Sequence, residues 1–540
     1  MVIPSIALIP SGYKGGVTLG KLYSVLPTNG NADLDVVRNS TANRINKDKL
    51  IESMAINVPL LDYSDSTCPS LLLQPQSTNL ITYPLSFGNS YWTKSGASIE
   101  GDASTAGAEK VVNGDFATDT DWNKNTNWTI SAGAANADGT SNGNINQGAD
   151  DTVIGATFIV TYDITSYTSG TFYPQYGGVA LTPRSAVGTY AEQVTTISNL
   201  RLSFRGTLPL GSIDNLSVKE VQGFSAPSVD NPTSAFKLVE DTSTGVHRVL
   251  KESLTGVSGD KFSNSIRIKS SGRQWVLLMD NHSNKGYYFD IINGVVGSAF
   301  TGGTDSFSIT PLADGWFDIS ITVITESNLM SLQLRLADAD GSNSYTGNGT
   351  SGVYIFGAQL EALPCATSLM LPVLPAVEGT SASRLKDEVS KTGLSSEINS
   401  VEGTLFVEMS ALVDDLSERR LSLSDSISSN VVRVGYTNIS NRIIAVVFNG
   451  SNQAVMTYTS SDITVKSKIA VKYKENDFAL WVDGVERAID SIGTTFSENT
   501  LNRIGFDGGS GVSNSFNKTN QLQVFKTALT DAELAVLTTI

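Results

Sequence analysis

TNLITYPLSFGNSYW, residues 78–92, opens a folding unit that closes only at GVYIFGAQLEA, residues 352–362, and the remainder of the chain is placed by these two stretches. The opening has a turn-forming Thr-Asn pair, a short apolar run and the aromatics Phe87, Tyr91 and Trp92. WTKSGASIEG, residues 92–101, then alternates polar and apolar residues as a strand does. The closing stretch alternates in the same way. First and last strands of an antiparallel sandwich commonly lie side by side, so a loop between them can carry a long insertion while the core stays closed.

The 540 residues are enough for roughly three or four domains of about 150 residues, each able to bury its own core. Hydrophobic residues make up 40% and charged residues 17%, with 48 glycines, and Ser, Thr, Asn and Gly interrupt nearly every apolar run. Punctuation about every ten residues predicts many short strands and little helix, hence an all-β chain. A net charge of −16 argues against nucleic acid as a partner, because that affinity rests on Lys and Arg contacts to phosphates. The two cysteines, Cys68 and Cys365, fit neither a disulfide framework nor a zinc site and read as buried thiols. The N-terminus MVIPSIALIPSGYKGG lacks the basic and apolar regions of a secretion signal, and no apolar run approaches the ~18 residues of a membrane helix. The expectation is a soluble protein made in the cytoplasm, without membrane insertion.

Residues 1–77 alternate short β-prone runs with polar turns. KLYSVLP (21–27), RNSTANRIN (38–46), LIE (50–52), NVPLLDY (57–63) and CPSLLLQPQSTNL (68–80) follow one another in an order and spacing that resemble the N-terminal portion of phage and prophage virion proteins of the tail-fibre or head-fibre type. Leu60, Gln74 and Ser77 depart from that pattern, where the family carries Arg, Glu and Arg. The resemblance implies an attachment segment at 1–77, virion proteins as partners, a virion location and a homo-oligomer, a trimer being usual for fibres.

The outer unit breaks off near Gly107 and resumes near Gly223 with SAPSVDNPTSAFKLVEDTSTGVHRV. This assigns 78–107 and 223–362 to one discontinuous jelly roll and 108–222 to an insert. The insert opens with KVVNGDFATDTDWNKNTNWTISAG and closes with GSIDNLSVKEV, ends that resemble carbohydrate-binding modules of the galactose-binding-like jelly-roll type. NSYWTKSGAS and NTNWTISAGA also align, as in two copies of one architecture. Residues 363–400, rich in Pro, Ser and Thr, read as a linker. Residues 401–540 resemble a concanavalin A-like, laminin G-type sandwich. Its marks are ALWVDGVE (479–486) and ALTDAELAVL (528–537), with Thr530 and Glu533 as a helical capping box and Asp483-Gly484 as a hairpin turn.

Sugar binding by a sandwich needs an aromatic face for the pyranose and polar groups for its hydroxyls. The insert's candidates are Trp122, Trp128, Tyr173 and Tyr176, with FYPQYGG placing two aromatics in one short stretch. Alignment of Trp128 with Trp92 favours the core as its place over the sugar face. Asp115 and Asp214 are candidate calcium ligands, calcium being the one cofactor considered, although two carboxylates fall short of a site. His247 and His282 sit in no nucleophile or metal motif, and no paired carboxylate signature is visible, so the expectation is no enzyme. The function expected is a virion fibre protein binding host-surface or environmental glycans. The alternatives are a structural capsid or tail decoration and a polysaccharide depolymerase.

Overall fold

The computed structural model describes residues 2–10, 20–101, 107–147, 154, 156–199, 202–221, 223–371 and 379–540. Nearly all regular structure is antiparallel β, and the α-helix among the described residues is Asp531–Thr538, started by the expected capping box between Thr530 and Glu533. Asp483 and Gly484 both have positive φ, 53° and 78°, and close the expected hairpin between Phe478–Val482 and Val485–Asp490.

The discontinuous host sandwich stacks two six-stranded sheets. One runs Ala97–Glu100, Phe236–Glu240, Gly352–Glu361, Lys261–Ser271, Phe317–Ile324, Ser306–Pro311. The other runs Val295–Phe300, Lys285–Asp290, Trp275–Asp280, Leu329–Ala337, Arg248–Thr255, Thr93–Ser95. The strand expected over 92–101 is therefore two strands in two sheets, Thr93–Ser95 and Ala97–Glu100, with the corner at Gly96. There φ is +64°, and a Cβ would meet the Val246 carbonyl oxygen at 2.5 Å. His247, wholly buried, holds this corner through Nδ1 on the Gly96 carbonyl and Nε2 facing that of Tyr345. Opening and closing stretches do meet: the Leu80 N–H donates to the Leu360 carbonyl at 2.8 Å, and buried Asn79 accepts from the N–H of Leu360 at 3.1 Å.

Between these host strands, Asn123–Lys124, Ile145–Asn146, Ser203–Arg205, Tyr173–Tyr176 and Val179–Ala180 form one five-stranded sheet. Trp128–Ser131, Ala134–Asp138, Leu210–Glu220, Thr157–Ser169 and Gly188–Thr195 form a second. They enclose a separate core around Phe116, Trp128, Phe158, Phe172 and Phe204. The expected boundary at Gln222 lies outside the described residues.

The C-terminal region requires a correction. The described residues of 1–77 are not separate from the C-terminal sandwich, and those of 379–400 are not an extended linker. Ile6–Leu8 and Ser70–Leu72 both pair with Asn517–Phe525, and Leu34–Val37 pairs with Glu388–Thr392, which continues to Arg503–Gly505. Ile6, Leu8, Leu22, Leu34 and Val36 join Leu405, Leu421 and Leu522 in one core. The physical reason is burial: these short apolar runs gain only by completing the two sheets that 402–525 begin. Linker residues 372–378 lie outside the described residues.

A buried polar hub locks the arrangement. Asp387 accepts from Arg38 Nη1 at 3.0 Å, Arg384 Nη1 at 3.3 Å and the Gln74 N–H at 2.9 Å, with the three charged side chains 0–2% exposed. Arg38 also donates to the carbonyls of Ser40, Ala55 and Val58. Ser77 donates to Glu361 Oε1 at 2.7 Å, and the Thr367 N–H to Glu361 Oε2 at 2.8 Å. The fibre-like motif residues Arg38, Gln74 and Asn79 thus make junction contacts, and Asn57 accepts from the Arg38 N–H behind them.

The cysteine expectation is also corrected. Cys68 is exposed, at the turn before Ser70–Leu72; Cys365 is partly buried, and burial pushes its thiol up to about 12. One thiol per native chain is expected to react rapidly with a disulfide reagent at about pH 8, the second only in denaturant. Rapid reaction of both thiols in the native protein would contradict this placement.

Candidate functional site

The strand period of two decides the fate of the predicted aromatics. In Tyr173–Tyr176, Pro174 and Tyr176 point inward and Tyr173 and Gln175 outward, so the two tyrosines lie on opposite faces. Tyr176 is wholly buried against Phe158 at 5.0 Å between ring centroids. Trp122 packs on Phe116 at 5.1 Å and gives its indole N–H to the Asn113 carbonyl at 2.9 Å; Trp128 lies against Phe172 and Phe204 and donates to Gly143. These three are core residues rather than a sugar platform, since each buried ring finds an apolar neighbour and each indole N–H a carbonyl.

Tyr173 is the predicted aromatic left on the outside, and it has company. Arg205 lies directly across from it, and the next row places Ala180, Gln175, Ser203, Asn146 and Asn123 side by side across five strands. Arg205 donates from Nη2 to Ser203 Oγ at 3.3 Å, while its buried Nε has no partner among the described residues. Nothing among the described residues bonds the side-chain polar atoms of Tyr173, Gln175 or Asn146. A ring with a guanidinium beside it and two free amides in the next row can meet a sugar's apolar face and its vicinal hydroxyls. Gln175 was legible two residues from Tyr173. Arg205 and Asn146 were not, because only strand pairing brings them there.

The calcium candidates do not assemble a site. The Leu216 N–H donates to the Gly114 carbonyl at 2.9 Å, so the turns bearing Asp115 and Asp214 adjoin. Asp115, however, accepts from the Ala117 N–H, and Asp214 from the Asn215 N–H. Asn113 Nδ2 already serves the carbonyls of Thr118 and Thr120. No group of three or more acidic, His or Cys side chains suited to a metal occurs among the described residues.

A second feature is a cavity of about 360 Å³ where the N-terminal strands, the host and the C-terminal sandwich meet. Arg44, Asp62 and Gln74 from the fibre-like motifs line it with Arg267, Asp318 and Lys518. Arg267 Nη2 donates to Asp318 Oδ2 at 2.7 Å, yet Arg267 Nε and Asp318 Oδ1 are buried without partners among the described residues. Burial pushes the Asp318 carboxyl above its ordinary value against the pull of Arg267. Burial also acts upward on Asp65, on the same wall, but Lys518 at 2.7 Å outweighs it and holds that carboxyl low.

No protein-family model and no curated protein matches the chain. Among solved structures it is similar to the CBM40 of the Ruminococcus gnavus IT-sialidase bound to α2,3-sialyllactose, at 13% identity over 26% of this chain and 83% of that one, TM-score 0.23. It is similar to the tandem CBM22-1 and CBM22-2 domains of Paenibacillus barcinonensis Xyn10C at 10% identity over 48% and 100%, TM-score 0.21. Domains LG4-5 of the mouse laminin α1 chain match at 11% identity over 53% and 86%, TM-score 0.19. Likeness at this distance carries no assignment of function.

Proposed function

We propose that the chain is a non-catalytic glycan-binding protein of the virion-fibre type, which holds host-surface or environmental glycans on the Tyr173 face of the insert. The observation that carries this reading is the cross-strand pair Tyr173 and Arg205 with the unengaged Gln175 and Asn146 beside it. A single open face binds weakly, and many copies on one particle convert weak contacts into firm attachment. Placement on a virion is supported by the resemblance of residues 21–80 to fibre proteins.

Affinity electrophoresis through bacterial surface polysaccharides, with and without a chelator, tests the binding. Retention is expected, and Tyr173→Ala is expected to weaken it about tenfold, the ~1–2 kcal/mol of an aromatic anchor at a recognition face. Unchanged retention of a folded Tyr173→Ala protein would move the site elsewhere. Retention by no polysaccharide from several hosts would leave a purely structural decoration. Immunogold labelling of purified particles tests the virion placement, which an unlabelled particle would overturn.

A second reading has its own observation in the cavity, whose lining includes two carboxyls, Asp318 beside Arg267 and Asp65 beside Lys518. New reducing ends during incubation, lost in Asp318→Asn, would replace binding by depolymerisation.

A further inference from the structure

The host sheet containing Trp275–Asp280 and Leu329–Ala337 buries one face in the sandwich core through Val276, Leu278, Leu332 and Leu334. Its other face carries an arrangement that the core does not require. The register sets Arg248 opposite Arg335, Arg335 opposite Leu277, and Leu277 opposite Tyr288, one row across four strands. Like charges directly opposite each other destabilise a sheet, and this chain has 53 acidic residues against 37 basic ones from which to supply a counter-charge.

No carboxylate lies within ion-pair distance of either guanidinium among the described residues. Instead both share one neutral acceptor: Gln333 Oε1 takes Arg248 Nη1 at 3.0 Å and Arg335 Nε at 2.8 Å. A second neutral amide, Asn343 Oδ1, takes Arg335 Nη1 at 2.9 Å. Arg248 Nε is buried with no partner among the described residues. By contrast Arg267 and Arg273 of the same sandwich have Asp318 and Glu240. The nearby loop acids are engaged elsewhere, Asp338 by Ser342 Oγ and Asp340 by the N–H and Oγ of Ser298. Burial, and next the Arg248 charge, lower the pKa of Arg335 against the opposing effect of Tyr288.

Ring surfaces flank the pair. The Arg335 guanidinium carbon is 5.6 Å from the Phe300 ring centroid, and Phe300 meets Tyr288 edge-on at 6.4 Å. Trp275, partly exposed on the same face, is seated over Gly297, where a Cβ would come within 2.5 Å of its ring. Two converging guanidinium groups beside aromatic rings suit an oxyanion borne on a ring with an apolar face. We propose that this face of the host sandwich binds a carboxylated sugar, its carboxylate between Arg248 and Arg335 and its ring against Phe300 and Trp275. Such an anion relieves the like-charge contact that the fold otherwise carries. The site is separate from the Tyr173 face of the insert.

Titration calorimetry of the full chain with a trigalacturonate, a sialylated trisaccharide, maltotriose and inorganic phosphate tests this. Heat is expected with one or both acidic sugars, which separates a hexuronate from a nonulosonate source, and none with maltotriose. Arg248→Gln and Arg335→Gln are each expected to weaken binding about tenfold or more, as loss of a charged hydrogen-bond partner does. Both variants should keep or raise the melting temperature, because each removes a repulsion, whereas arginines of purely structural value would lower it. Tyr173→Ala should bind the acidic sugars as the parent does, so failure of the insert reading leaves this one intact. Equal binding of maltotriose by the Tyr173→Ala protein, binding of phosphate alone, or parental affinity in both folded arginine variants would overturn the proposal.

Discussion

Replacing Asp387 with alanine is expected to destabilise the C-terminal sandwich by about 3–5 kcal/mol, the cost of removing one partner from a buried ion pair. Arg38 and Arg384 are both wholly buried and converge on this carboxylate, which also takes the Gln74 N–H. Without it two guanidinium groups face each other in the interior; burial already lowers the Arg384 pKa, and the carboxylates of Asp387 and Glu361 are what oppose that shift. Urea unfolding followed by tryptophan fluorescence measures the loss. A change below ~1 kcal/mol, the range of exposed pairs, would mean that the hub does not couple the N-terminal strands to the sandwich.

Removing residues 1–77 is expected to leave the C-terminal sandwich unfolded while the host sandwich still folds. Ile6, Leu8, Leu22, Leu34, Val36 and Leu71 are each 2% exposed or less in the shared core. At about 1.5–3 kcal/mol for each aliphatic side chain left without burial, their loss exceeds much of the ~5–15 kcal/mol that holds a domain. The truncation also removes both strands that pair with the outer side of Asn517–Phe525. Limited proteolysis of the 78–540 polypeptide should therefore trim it back from the C-terminus, leaving a core near residues 78–362. A protease-resistant 379–540 fragment would show that the sandwich closes by itself.

Much of the architecture was legible because it rests on local rules. Alternation with period two, interrupted by Gly, Asn and Ser, announced an all-β chain, and the opening and closing stretches of the host meet at the Leu80 N–H and the Leu360 carbonyl, though not as paired strands. The capping box at Thr530 and the Asp483-Gly484 turn are likewise decided within four residues. The aromatics of the insert are less legible. Trp122, Trp128 and Tyr176 have the composition of a sugar platform, and the inside and outside of a strand look alike until its register is known.

By itself, then, the sequence determined the strand class, the turns, the cap and the breaks between apolar runs, each a matter of neighbouring residues and backbone preference. Tertiary structure alone decided that residues 6–8 close a sheet with 522–524, and that 382–392, rich in charge and without long apolar runs, supplies two paired strands rather than a linker. It also decided the two pairings on which the proposed binding faces rest, Tyr173 beside Arg205 and Arg248 beside Arg335. The reason is that an antiparallel pairing joins residues far apart in the chain, and a slip of one position turns every side chain to the other face. Which charges meet, and which stay without a partner, is settled only when the register closes.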